Sequence, residues 1–135
     1  MGIIYLINPK NLDPKYIYDS ADLKKRIDKN ILRPGNERVI PKASIKNIKF
    51  GRFKGSENSL KTRYENIFNK IDLRVVVKFF NWEHTKKFEK IVKNECFGNY
   101  NKLINTLEWL DDDRINMDIA EASILKKYDE FKKQL

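Results

Sequence analysis

The chain offers chemistry one imidazole and one thiol, His84 and Cys96. A nucleophile and its base must lie within hydrogen-bonding reach of each other. Both residues fall in one stretch of helical periodicity, residues 82–97, where twelve positions at ~1.5 Å per residue separate them by about 18 Å along the axis. Proton transfer across that gap is excluded, so His84 reads as a surface residue near a helix start and Cys96 as a small core residue. The same shortage removes ordinary structural zinc sites, haem attachment and an internal disulfide. No glycine-rich loop opens a helix, so the Walker A and dinucleotide fingerprints are absent as well. What remains in quantity is charge, 28 Lys and Arg against 19 Asp and Glu.

The elements that must position a site alternate between strand and helix. Gly2-Ile3-Ile4-Tyr5-Leu6-Ile7, closed by Asn8-Pro9, predicts a first strand because β-branched residues suit a pleated, buried surface. Asp13-Pro14 signals a turn, residues 15–18 a short strand, and Ser20 an N-cap for a helix carrying Leu23, Ile27 and Ile31. Arg33-Pro34-Gly35-Asn36 ends that helix, and residues 33–44 read as an exposed basic connection. A second cycle begins with a strand over 45–53, where Ile48 and Phe50 are spaced by two and Gly51 marks a bulge or close backbone approach. After a turn and cap at 55–59, Leu60, Tyr64, Ile67 and Phe68 form a helical stripe. Leu73, Val75, Val77 and Phe79 alternate, with Val76 and Phe80 opposite, which predicts a central strand covered on both faces. Residues 82–97 predict a helix capped by Thr85, with Phe88, Ile91, Val92 and Cys96 inward. Leu103, Ile104, Leu107 and Leu110 predict another helix. The last starts near Asp118, with Ile124, Tyr128, Phe131 and Leu135 on one face. The class is α/β, strands with helices around them.

A chain of 135 residues buries about 65–70% of its unfolded surface, the scale of a single core. Its 41% hydrophobic content excludes wholesale disorder. Net charge +9 and a sequence pI near 9.6 favour a polyanionic partner. The charge is uneven: residues 1–107 carry 23 basic and 11 acidic side chains, residues 108–135 carry 5 and 8. Asp111, Asp112 and Asp113 mark the junction and read as a solvated turn or helix start. Nothing approaches 18 consecutive apolar residues and no signal peptide opens the chain, so the expectation is an intracellular, soluble protein without membrane partners. Lys49-Phe50-Gly51-Arg52-Phe53 lacks the order of glycines and aromatics of an RNA-recognition strand.

The opening Gly2-Ile3-Ile4-Tyr5 resembles the first motif of the GIY-YIG nucleases, and two stretches resemble the second. One is Tyr16-Ile17-Tyr18 with Leu23 and Arg26, at the common family spacing, although Tyr18 replaces the glycine and Asn30 stands at the polar or histidine position. The other is Ile48-Lys49-Phe50-Gly51-Arg52 with Leu60 and Arg63. It keeps the glycine in the manner of the Lys-Ile-Gly-Arg variant of phage and large-virus members, but lacks tyrosine at Ile48. Phe88-Glu89-Lys90 and the stretch 94–100 then resemble the metal-binding helix and the closing segment. Element order and Gly51 favour the second placement; the first stays open. The resemblance covers residues 2–107 and implies an α/β fold with a small mixed β-sheet flanked by helices. It makes 1–107 a nuclease domain with an insertion at about 8–44, and 108–135 a C-terminal helical extension.

By that resemblance the activity is metal-dependent cleavage of DNA phosphodiesters. Tyr5 would orient or deprotonate water, Arg63 (Arg26 in the other placement) would contact the scissile phosphate, and Glu89 would hold one Mg²⁺ or Mn²⁺. A hard ion keeps several waters and needs few protein ligands, so scarce His and Cys do not exclude an enzyme. Lys49, Gly51, Arg52 and Lys61 would meet the nucleic acid, DNA first and RNA second. A phage or large-virus origin would place the protein in the host cytoplasm. The residues also carry plainer readings: Tyr5 as packing, Arg63 as a snorkelling cation, Glu89 as a surface charge paired with Lys86, Lys90 or Lys93. The competing function is a catalytically inactive scaffold that binds nucleic acid or protein, with a homodimer seam along Ile124, Tyr128, Phe131 and Leu135. Covering the chain's own core is the alternative use of that stripe.

Overall fold

Every residue of β1, Gly2–Pro9, is buried, which requires cover on both of its faces. In the computed structural model residues 1–10, 45–68, 70–103 and 107–135 are described. The expected turn, strand and helix between 11 and 44, with Tyr16 and Arg26, lie outside them, as does Ile104. The remaining elements are β2 (Ile48–Lys54), α1 (Glu57–Phe68), β3 (Ile71–Phe79), α2 (Trp82–Ile91) with a π turn (Val92–Cys96), β4 (Trp109–Leu110) and α3 (Met117–Lys132). The strands lie in the order β3-β1-β2-β4, and all their pairings are antiparallel. The expected small sheet flanked by helices is therefore present, antiparallel throughout among the described residues where a mixed sheet was expected.

Strand parity divides the core in two. Ile3, Tyr5 and Ile7 pack with Leu60, Tyr64 and Phe68 of α1 and with Trp109. Ile4 and Leu6 point the other way, into Phe88, Val92, Phe97, Ile124 and Phe131. Successive side chains on a strand leave on opposite faces, so one short segment organises both helical layers.

β1 is thus an inner strand paired along both edges, and β3, expected to be central, has β1 as its one neighbour among the described residues. Its alternation is also broken. The register shifts between Ile4, opposite Val77, and Tyr5, opposite Val75. The extra residue, Val76, is a bulge, and a one-residue slip reverses the side-chain faces. Leu73 and Val75 accordingly pack against the α1 layer, whereas Val77 and Phe79 lie in the other. Phe80, one residue beyond the strand, is 94% exposed.

Three further expectations are revised. The cap of α2 is Asn81, whose side chain accepts from the Glu83 and His84 amides; Thr85 is fully buried and its hydroxyl donates to the Asn81 carbonyl. The single helix over 82–97 is an α-helix that loosens into a π turn at Val92. Leu110, placed in a helix by its spacing, belongs instead to β4 and pairs with Ile48 of β2. A sheet edge satisfied by a short strand outweighs the helical spacing of Leu103, Ile104, Leu107 and Leu110. Cys96 is buried as expected. Asp112 is bonded into the turn before α3, accepting from the Asn101 amide and the Arg114 guanidinium.

Asn116 caps α3, and Ile124 and Phe131 enter the chain's own core. Tyr128 meets Phe79 edge-on at 5.7 Å. Residues 108–135 thus share the sheet and core with those before them, while Leu135 stays exposed. No helix among the described residues is long and apolar enough to cross a membrane. Ile124→Ala should cost about 2–5 kcal/mol in urea unfolding through the cavity it leaves. Its exposed neighbour, Leu125→Ala, should stay within about 0.5 kcal/mol; equal losses would show that α3 does not close this core.

Candidate active site

Tyr5 stands opposite Gly51 in the β1–β2 ladder, and its ring leans over the place where a side chain would be. A Cβ on Gly51 would lie 2.7 Å from the Tyr5 hydroxyl and 2.9 Å from Cζ. Two residues earlier on the same face of β2, Lys49 donates to the Tyr5 hydroxyl at 2.9 Å. The same ammonium meets Glu108 Oε2 at 2.9 Å. From α1, the Tyr64 hydroxyl lies 3.0 Å from that of Tyr5, and the Arg63 guanidinium sits 5.8 Å from the Tyr64 ring centre.

The opposite face of β2 supplies a second group. Arg52 Nη1 donates to Glu89 Oε2 of α2 at 3.3 Å and lies 5.9 Å from the Trp82 ring centre. The two groups meet because β4 pairs only with Ile48 and Lys49, so among the described residues no strand covers the outer edge of β2 beyond them. A cleft of about 590 Å³ follows that edge and collects side chains from both faces of the sheet. Lys49, Arg52, Lys54, Arg63 and Lys93 line it against two acids, Glu89 and Glu108.

Burial raises the Tyr5 pKa well above the ordinary phenol value, against the opposing pull of Lys49. The phenol therefore keeps its proton at neutral pH. Burial opposes the charge on Lys49, but its hydrogen bond to Tyr5 and the Glu108 carboxylate help outweigh it and hold the amine protonated, above its ordinary value. An ammonium has only donors, so Tyr5 accepts from Lys49 and has its own proton to offer to Tyr64 or to a ligand. Burial, and then the Glu108 charge, push the Glu89 carboxyl up, although Arg52, Lys93 and Lys49 pull it down.

Tyr5, Arg63, Glu89, Lys49 and Arg52 all line the cleft, with Gly51 beneath the Tyr5 ring. Lys61 is exposed on α1 and is not part of the cleft wall; Arg26 lies outside the described residues. Glu89, which also read as an exposed helix charge, is 6% exposed. Lys49, expected to meet the nucleic acid, lines the cleft and donates there to Tyr5 and Glu108. Sequence reasoning missed Tyr64, Trp82, Lys93 and Glu108. Tyr64 was absorbed into an apolar stripe, Lys93 is the i+4 neighbour of Glu89, and Glu108 carries no local signal.

Among the described residues no three His, Cys, Asp or Glu side chains cluster as metal ligands. A hydrated Mg²⁺ or Mn²⁺ does not need such a cluster. Glu89 offers a largely buried carboxylate that accepts a hydrogen bond from Arg52, and Glu108 lines the same cleft. That donor set fits a hard cation held mainly by water. No protein-family model, curated protein or solved structure matches this chain.

Two stability changes follow. Gly51→Ala must push the Tyr5 hydroxyl away from Lys49 and Tyr64, and should cost about 1–3 kcal/mol by overpacking; an unchanged urea midpoint would show that the ring has room. A carboxyl whose pKa is raised by folding adds stability below its unfolded pKa, and that stability is lost as pH rises through the folded value. Glu89→Gln removes this loss, so in metal-free buffer it should raise the melting temperature at pH 7–8. The advantage should fade towards pH 4.

Proposed function

We propose that this protein is a metal-dependent DNA endonuclease of the GIY-YIG type. The observation that carries the reading is the convergence of Tyr5, Arg63 and Glu89, from β1, α1 and α2, on one cation-rich cleft. Phosphodiester hydrolysis requires an oriented water, neutralisation of charge on the phosphoryl oxygens and stabilisation of the departing oxygen. The Arg63 guanidinium has a planar fork suited to two phosphate oxygens. Arg52, Lys54 and Lys93 flank the cleft, where they would hold neighbouring phosphates and set the register of the strand.

Tyr5, protonated and held by Lys49, acts as an orienting hydroxyl: it donates to the attacking water or to a phosphoryl oxygen, and Tyr64 extends the chain of hydroxyls. Glu108 keeps the Lys49 ammonium in place from the other side. A Mg²⁺ or Mn²⁺ ion held by Glu89 would supply Lewis-acid neutralisation of the phosphate and a water of lowered pKa. Arg52, which pairs with Glu89 at 3.3 Å, would turn to the incoming phosphate and release that carboxylate. The same ion pair favours the second reading, a scaffold that binds DNA without cutting it.

Supercoiled and branched DNA incubated with Mg²⁺ or Mn²⁺ decides between them. Glu89→Ala and Arg63→Ala should each lower the nicking rate about 100-fold or more, the scale of losing one charge-stabilising group. Arg26→Ala should leave nicking unchanged; loss through Arg26 instead of Arg63 would select the other motif placement. Well-folded protein that cuts neither DNA would leave the binding scaffold.

A further inference from the structure

The Arg52–Glu89 pair joins a guanidinium that reaches solvent to a carboxylate that hardly does: their side chains are 43% and 8% exposed. Glu89 is fixed on α2 next to the fully buried Phe88, whereas Arg52 meets it at the end of a long, flexible side chain from β2. Taking the guanidinium away with nothing in its place would leave a largely buried carboxylate without its counter-charge, which is costly. An internal cation therefore already holds the position that a metal ion at Glu89 would need.

The rest of the cleft opposes a metal as well. Five cationic side chains line it against two carboxylates. With Lys49 paired to Glu108 and Arg52 to Glu89, an excess of three positive charges remains. A concave site lined by one sign of charge focuses its field, so this one draws in phosphate and repels a free divalent cation. A phosphate group reverses both effects. It neutralises the excess, and it offers two oxygens to the planar fork of Arg52 in exchange for Glu89.

We infer that Arg52 is the resident counter-ion of Glu89, and that the cleft binds a divalent cation tightly only after a phosphate group has drawn Arg52 away. The two ligands then bind in order, polyanion first and metal second, and at equilibrium each tightens the other by the same factor. This deepens the nuclease reading and rests on it for the identity of the polyanion as DNA; the coupling of anion to cation does not.

The test reads Mn²⁺ binding from the electron paramagnetic resonance of the free ion, with no DNA present and so no cleavage. Sulfate is the probe for phosphate, compared with chloride at matched ionic strength so that screening is equal. A protein-free titration corrects for sulfate-bound ion. Sulfate should tighten Mn²⁺ binding by the wild type about fivefold or more, the low end of ordinary coupling between sites, and Glu89→Gln should remove that tightening. Arg52→Gln should bind Mn²⁺ in chloride about as tightly as the wild type does in sulfate, with little further gain from sulfate. Lys54→Gln removes the same charge from the same cleft and leaves the partner of Glu89, so it should keep the sulfate effect and raise affinity less. Wild-type binding that ignores sulfate, no binding in either salt, or Lys54→Gln matching Arg52→Gln would overturn the inference. The wild-type comparison needs no variant and stands even where Arg52→Gln fails to fold. Sulfate-coupled binding in a protein that nicks no DNA would sink the nuclease reading alone, and nicking with sulfate-indifferent binding would sink the ordered site alone.

Discussion

The structure depends on the burial of one strand on both faces. With all of β1 out of solvent, neither helical layer has a core without it: odd positions complete the α1 layer and even positions the α2–α3 layer. A strand in the middle of a sheet has its hydrogen bonds satisfied on both edges, so its side chains can be almost entirely apolar without exposing polar backbone. Tyr5 and Asn8 are the polar members of that series; the Asn8 amide donates to the Ile45 and Asn47 carbonyls, and Tyr5 faces the cleft. Its ring belongs to the core, and its hydroxyl emerges where β2 carries glycine in place of a side chain.

That emergence gives the cleft its electrostatic character. A phenol, an ammonium and a carboxylate in contact would be expensive to bury separately; here each satisfies another. Glu108 holds Lys49, Lys49 donates to Tyr5, and Tyr5 meets Tyr64. Among the described residues no buried side-chain polar atom lacks a partner. Across the edge of β2, Arg52 does for Glu89 what Lys49 does for Tyr5, but in a more open setting: the Arg52 side chain is 43% exposed and that of Lys49 is 13%. The first arrangement is nearly closed to solvent, and the second lies open to it.

The short reach of β4 makes the cleft. A longer fourth strand would seal the outer edge of β2 and separate the groups on its two faces. Pairing only with Ile48 and Lys49, β4 anchors Glu108 beside Lys49 and, among the described residues, leaves no strand along the edge beyond. The bulge at Val76 acts at the far side of the sheet, handing the two ends of β3 to different layers. Both features are interruptions of regular pairing, and such interruptions commonly re-aim side chains near functional sites.

Much of the arrangement was legible in local pattern. The opening strand, the α1 stripe, the inward face of α2 and the buried face of α3 follow from periodicity, because the period of burial is a property of each segment. Tyr5, Gly51, Arg52, Arg63 and Glu89 were singled out from motif order alone, and all but the glycine line the cleft, with Gly51 under the Tyr5 ring. The centrality of β1, the bulge that splits β3 and the strand at Leu110 were not legible, since each depends on what lies alongside. The same is true of Glu108 reaching Lys49 across 59 positions and of Lys49 donating to Tyr5. Spacing along a chain records which face a residue shares with its neighbours in sequence. Only the pairing of distant segments decides which charges share a dielectric and which edge stays open.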